Sequence, residues 1–182
     1  YWMTALLREA CHKTSTRFLS RSSVRCGKLH PLWDLTPHDQ FDVQQACVKA
    51  KMVSGTYWLN VDEARRRPGG SPTCSMCRLE TEDLEHVVIR CTAYTDVRQK
   101  FMQVIREAFL EIYTEDQWQT CTRDSSATQG TILDVNLNIA RPTGSPPRSR
   151  TNLGHVTRKF LYVVHTRRAV QLRVMQSGGK SS

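Results

Sequence analysis

The sequence predicts a mainly α fold. An irregular helical domain is held together by one compact Cys/His knuckle, at residues 74–91. A linker and a basic C-terminal helix follow. Apolar residues recur with helical period over residues 95–112 and again over residues 151–175. Four Cys and His residues fall close together within residues 74–91. With 182 residues, the chain is long enough for one ordinary domain, or for a small domain with arms.

The first well-marked helix is expected over residues 37–54. Thr36 is a suitable N-cap, Pro37 suits the first helical position, and Gly55 suits the position just past the helix end. A shorter helical turn is expected at residues 62–67. The helix at residues 37–54 and a later helix at residues 95–112 are expected to pack beside the Cys/His knuckle.

The strongest helical pattern lies after the knuckle. Seven apolar side chains fall on one stripe of a helix over residues 95–112: Val97, Phe101, Val104, Ile105, Ala108, Phe109 and Ile112. This stripe predicts that one face of the helix packs against the core.

The C-terminal helix is expected over residues 151–175. Its apolar side chains cluster on one face, and Arg167 interrupts that face, so this helix is expected to pack over only part of its length, through Phe160 and Val163. The apolar set is Leu153, Val156, Phe160, Val163, Val164, Val170 and Val174.

These elements divide the chain into four predicted units. They are an N-terminal segment at residues 1–36, a helical metal-binding domain at 37–112, a connector and linker at 113–150, and a basic helix with a flexible tail at 151–182. The connector assignment depends on weak apolar periodicity before residue 141 and on three prolines and a glycine after it.

Positive charge is concentrated at the two ends of the chain. The formal net charge is +9, and residues 141–182 carry nine basic and no acidic side chains. Such a tail favours a polyanion partner, although a solvated basic tail would have the same composition. No stretch of about 18 apolar residues is present, so no membrane span is expected.

The Cys/His knuckle has the spacing C-x2-C-x8-H-x4-C at Cys74, Cys77, His86 and Cys91. Three thiolates and one imidazole form a closed tetrahedral site that suits Zn²⁺ and leaves no open position for catalysis. A chance cluster and a redox pair are the alternatives, and no βαβ pattern supports the redox pair. A zinc deaminase is excluded because no histidine is followed two positions later by Glu.

Several stretches of the chain form a further pattern: His30-Pro-Leu-Trp33, Val48-Lys-Ala-Lys-Met-Val-Ser-Gly-Thr-Tyr57, Pro72-Thr-Cys-Ser-Met-Cys77, Glu82-Asp-Leu-Glu-His-Val-Val-Ile-Arg-Cys91 and, more loosely, the run from Phe160 to Arg168. Through these features the region from Leu29 to Cys91 resembles the C-terminal region of non-LTR (LINE-type) retrotransposon reverse transcriptases. That family shows a basic helix ending in a Thr/Ser-Gly-Thr-Tyr step, then a loop and a CCHC finger.

The resemblance implies that the four Cys/His residues bind zinc and that this region follows a polymerase domain and contacts RNA or target DNA. Polymerase activity is not implied, because the chain has no Asp-Asp dipeptide, and no Pro-Asp step indicates the endonuclease of some relatives. This region itself is therefore not expected to be an enzyme. An intracellular location, in the nucleus and in cytoplasmic ribonucleoprotein, would follow.

Basic side chains are the expected contacts for nucleic acid phosphates, because arginine and lysine bind phosphate without reading sequence. The predicted set is Lys49, Lys51, Arg65, Arg66, Arg67, Arg158, Lys159, Arg168 and Arg173. Tyr57 or Trp58 is available to stack on an unpaired base, or else packs in the core.

A zinc-stapled protein-interaction module is the alternative function. Four carboxylates lie between the second and third zinc ligands and would repel phosphate: Glu80, Glu82, Asp83 and Glu85. Their structural interpretation is that they cap the short helix that carries His86.

Overall fold

The computed structural model describes Phe18, residues 40–134 and residues 147–178, with the side chains of residues 153–177 in the last range. These residues confirm the mainly α fold: apart from one isolated antiparallel bridge between Thr73 and Thr81, all regular structure in the described ranges is helical. Six α-helices lie there: α1 (Gln40–Val53), α2 (Asn60–Arg66), α3 (Thr95–Leu110), α4 (Glu115–Cys121), α5 (Ser125–Leu133) and α6 (Pro147–Gly178).

The long helix α6 packs against both α1 and α3 and joins them into one core. Phe160 is fully buried on α6, and its ring centroid lies 5.6 Å from that of Phe101 on α3. On the α1 side, the rings of Phe41 and Tyr162 meet edge to face at 5.0 Å. The core therefore lies between three helices that are distant in sequence.

Helix α3 confirms the strongest sequence pattern, with one difference at its edge. Val97, Ile105 and Phe109 are buried as predicted, whereas Val104 is 45% exposed. The stripe is buried toward Phe109 because Trp118 of α4 packs there, with ring centroids 5.2 Å apart. Val104 lies on the opposite edge of the stripe and faces solvent.

Residues 113–134, which the sequence assigns to the connector, form α4 and α5 in the structure. Thr114 caps α4 by accepting the Gln117 N–H at 3.3 Å, and Asp124 caps α5 by accepting the Ala127 N–H at 2.8 Å. Buried side chains from both helices join the same core as α1, α3 and α6: Trp118, Cys121, Ile132 and Leu133. Residues 113–134 are therefore part of the folded domain.

Helix α6 shares that core, so it is not a separate unit. Phe160 docks as predicted, Val163 is half-buried, and Val170 and Val174 are 59% and 58% exposed. The expectation of partial packing is thus confirmed. No helix in the described ranges is long and apolar enough to cross a membrane. The predictions for residues 1–36, for Pro37 and for residues 141–146 of the linker predicted at 141–150 fall outside the described residues. Residues 147–150 of that linker form the first turn of α6.

Candidate metal centre

The four predicted ligands meet at one point. One donor atom from each of Cys74, Cys77, His86 and Cys91 lies within 4.8 Å of all the others. The Sγ atoms of Cys74 and Cys91 are 3.8 Å apart, and Cys77 Sγ lies 3.3 Å from His86 Nε2. Such a group of atoms can hold one metal ion.

A tight turn presents the first two cysteines. The Cys74 N–H donates to the Glu80 carbonyl at 2.8 Å, and the Arg78 N–H donates to the Cys74 carbonyl at 2.9 Å. The bridge between Thr73 and Thr81 closes the base of this loop. Arg78 takes a left-handed backbone conformation with φ 59°, which turns the chain back after Cys77.

A wide helical turn presents the other two ligands. His86–Arg90 form one π-helical turn, in which the Cys91 N–H donates to the His86 carbonyl at 2.7 Å. The Asp83 carboxylate accepts the His86 N–H at 2.7 Å and caps this turn, as the capping interpretation of the local acids predicted. The turn brings residue 91 over residue 86, so both side chains reach the same site.

The Glu80 carboxylate orients the His86 ring through the nitrogen that does not face the cysteines. Glu80 Oε2 lies 3.2 Å from His86 Nδ1, while Nε2 faces Cys77. A proton on Nδ1 donated to Glu80 leaves the Nε2 lone pair free for a metal ion. Arg90 holds Glu80 in place through its Nε at 3.2 Å.

Burial sets the protonation of the thiols. It raises the pKa of Cys91 to about 12 and raises the pKa of Cys74. For Cys77, burial also raises the pKa, but hydrogen bonds from the backbone of Leu79 and Glu80 outweigh it and lower the pKa to about 7. A buried cation is therefore needed to hold all three sulfurs as thiolates.

Three of the nine predicted phosphate contacts lie in the interior of the structure. Lys49, Arg158 and Arg168 are 8%, 4% and 8% exposed. Lys49 Nζ donates to Thr157 Oγ1 at 2.7 Å, and burial lowers its pKa to about 7. Arg168 pairs with Glu82 of the knuckle.

Six predicted basic side chains remain on the surface: Lys51, Arg65, Arg66, Arg67, Lys159 and Arg173. Two of them also have acidic neighbours, since Arg65 pairs with Asp62 at 3.5 Å and Arg67 with Glu63 at 3.1 Å. The Arg66 guanidinium lies 4.3 Å from the centre of the Trp58 ring, and Trp58 is 44% exposed. Tyr57 is buried, as its core-packing interpretation predicted.

Glu82 is the residue whose role the sequence did not reveal. The sequence pattern assigns it to the acids that cap or flank the short helix of His86, but its side chain is fully buried and pairs with Arg168. The two residues are 86 positions apart. No local spacing signals such a pair, because it depends on how α6 returns to the knuckle.

Comparisons with protein-family models, with curated proteins and with solved structures gave no match for this chain.

Proposed function

We propose that the knuckle binds one structural Zn²⁺ and that the surrounding helical domain binds nucleic acid. The observation that carries the metal proposal is the donor geometry. Two sulfurs on a tetrahedral zinc ion, each bonded at about 2.3 Å, lie about 3.8 Å apart. The Cys74 and Cys91 sulfurs are separated by 3.8 Å.

The ligand set supports a structural role for the ion. Three thiolates and an imidazole complete the tetrahedron, so no position is left for a substrate or a catalytic water. The ion neutralises thiolates inside the core and ties the tight turn of Cys74 and Cys77 to the π-helical turn of His86 and Cys91.

Metal analysis tests this part of the proposal. The purified protein is expected to contain one zinc per chain, and Cys91→Ser is expected to lose most of it. Cys47→Ser is the matched control, because Cys47 is exposed and outside the cluster. Equal zinc content in the wild type and in Cys91→Ser would contradict the proposal.

Nucleic acid binding is supported by charge and by the resemblance to retrotransposon reverse transcriptases. The chain carries a net charge of +9, and six of the predicted basic contacts remain on the surface. Trp58 offers an exposed aromatic ring beside Arg66, which combines stacking with phosphate contact. In this proposal the module contacts RNA or target DNA next to an upstream polymerase domain of the same polyprotein.

A salt titration tests the nucleic acid proposal. Log affinity for RNA or single-stranded DNA is expected to fall with log salt by about 0.7–0.9 per phosphate contact. Changing Arg65, Arg66 and Arg67 together to Ala should weaken binding to all sequences and flatten this slope. Changing Arg106 and Arg123 to Ala removes exposed charge elsewhere and serves as the control.

A protein-interaction module is the second candidate, and a specific observation favours it. Leu79 at the tip of the knuckle is 74% exposed, and the acidic residues Glu80, Asp83 and Glu85 follow it in the chain. If binding to nucleic acid is insensitive to salt and to the triple arginine change, this candidate replaces the first. Leu79→Ser would then be expected to reduce partner binding while zinc content stays unchanged.

A further inference from the structure

We propose that Glu82 couples metal binding at the knuckle to docking of the C-terminal half of α6, so that each stabilises the other. The inference rests on the proposed metal site and adds its regulation. Glu82 lies in the chain between Cys77 and His86, within the loop that the metal would close. Its partner Arg168 lies on α6, near the end of the packed part of that helix.

Glu82 is tied to the metal-binding loop by its second carboxylate oxygen. Its Oε2 accepts the N–H of Ser75 at 3.2 Å, inside the turn that joins Cys74 to Cys77. Its Oε1 accepts the N–H of Asn60 at 3.2 Å, and the Asn60 amide donates to the Thr73 carbonyl at 2.6 Å. The position of this carboxylate therefore depends on the shape of the turn that presents the two cysteines.

The same Oε1 atom accepts two hydrogen bonds from Arg168, one from Nε at 3.1 Å and one from the terminal nitrogen. The Arg168 side chain is only 10% exposed. Its guanidinium lies 5.9 Å from the centre of the Tyr57 ring, and the Tyr57 hydroxyl is 3.0 Å from His165 Nδ1. This cluster holds the last buried turn of α6 against the knuckle.

A buried carboxylate and a buried guanidinium each need the other, because an unpaired charge in the interior is strongly disfavoured. When the metal leaves, the loop carrying Ser75 and Glu82 loses its cross-link, and Arg168 loses its partner. Release of Arg168 would in turn leave Glu82 buried without its counter-ion. Linkage then requires that metal binding and helix docking strengthen one another by the same factor.

The neighbouring residue offers a matched control. Arg167 also joins α6 to another helix, through two hydrogen bonds to Asp96 at 2.8 and 2.7 Å. That pair is exposed, with side-chain accessibilities of 44% and 55%, and it does not involve the metal-binding loop. Changes at Arg167 and at Arg168 therefore remove the same chemical group from adjacent positions of one helix.

The first test measures zinc affinity by competition with a chromophoric chelator. Arg168→Gln is expected to bind zinc about tenfold or more weakly than the wild type, as is typical for groups that support metal ligands from behind. Arg167→Gln is expected to stay within about threefold, because exposed pairs contribute little. Equal zinc affinities for the wild type and Arg168→Gln would overturn the proposal.

The second test uses the wild-type protein and does not depend on how a variant folds. Zinc removal is expected to speed amide hydrogen exchange in residues 162–172 of α6 and in residues 73–91 by a larger factor than in residues 153–161 of α6. Faster exchange in residues 73–91 alone, or equal acceleration along the whole of α6, would overturn the coupling while leaving the metal site intact. A wild-type protein that binds no zinc would instead contradict the proposed function itself.

Discussion

At the scale of single residues, the described interior of this domain contains polar side chains both with and without hydrogen-bond partners. His86 and Glu82 are buried with partners, whereas the side-chain amides of Gln45 and Gln129 are 1% and 0% exposed and form no hydrogen bond in the structure. A buried amide without a hydrogen-bond partner has lost its hydration, and no hydrogen bond within the protein compensates for that loss. These two glutamines therefore lower the stability of the fold.

Replacing a partnerless buried glutamine by methionine is expected to stabilise the protein. Gln129→Met keeps the side-chain length and removes the polar atoms, so the free energy of unfolding should rise by about 1 kcal/mol. Urea denaturation of the zinc-loaded protein measures this change. Gln103→Met, at an exposed position of α3, is the control and should have little effect. A clear loss of stability in Gln129→Met would contradict the prediction.

Lys49 is expected to make stability depend on pH. Burial and Arg158 lower its pKa from 10.5 to about 7, while Asp134 acts in the opposite direction. Between about pH 7 and 10 the unfolded chain therefore binds a proton that the folded chain lacks, so stability rises with pH, by up to about 1.4 kcal/mol per unit. Below pH 7 the penalty for burying the charge is fully present.

Comparing Lys49→Met with the wild type isolates this effect. The variant has no buried charge, and the Thr157 hydroxyl keeps its bond to the Leu153 carbonyl at 3.0 Å. Its advantage in unfolding free energy should be largest below pH 7 and should shrink as pH rises toward 10. Lys51→Met, at an exposed position, should show a difference that does not change with pH. A pH-independent difference for Lys49→Met would contradict the assignment.

At the scale of elements, the sequence predicts what depends on local pattern. The spacing of Val97, Ile105 and Phe109 predicts α3 and its buried face. The spacing of the four Cys and His residues likewise predicts the cluster that they form in the structure. The sequence did not predict the helices that Thr114 and Asp124 cap, because their apolar periodicity is weak. Short helices of this kind depend on packing more than on their own pattern.

Local sequence pattern does not reveal side-chain partners that are distant in sequence. Arg158 and Arg168 lie on a helix face that the sequence pattern assigns to solvent, because charged side chains are rarely buried. In the structure both side chains are buried. Each is buried because α6 crosses α1 and returns to the knuckle. Their placement follows from tertiary packing, and so do the partners of Lys49 and Glu82.

The reassignment of residues 113–134 to the core predicts a large effect at Trp118. This side chain is 7% exposed and packs on Phe109, so Trp118→Ala should lower the free energy of unfolding by about 3–5 kcal/mol. A free connector would tolerate the change. Val104→Ala, at a position 45% exposed on the neighbouring helix, should cost no more than about 0.5 kcal/mol in the same denaturation experiment. Equal effects for both variants would restore the connector interpretation.

At the scale of the whole molecule, the candidate metal site is part of the core. Cys74 and Cys91 are buried together with Val87, Val88 and Tyr94 in the same apolar cluster as the helices. If the proposed ion is bound there, its loss is expected to affect the core and not only a peripheral loop. This arrangement predicts that zinc stabilises the global fold.

The thermal midpoint of the domain is therefore expected to rise with free zinc. A ligand that binds only the folded state adds about 1.4 kcal/mol to the free energy of unfolding for each tenfold increase above its dissociation constant. Calorimetry at several buffered zinc concentrations measures this dependence, and Mg²⁺ is the control, since it prefers oxygen ligands. In Cys91→Ser the dependence should disappear. Two results would contradict this prediction: a wild-type thermal midpoint that does not depend on zinc concentration, or a midpoint of Cys91→Ser that still rises with zinc. Either would show that the knuckle does not stabilise the fold through the metal.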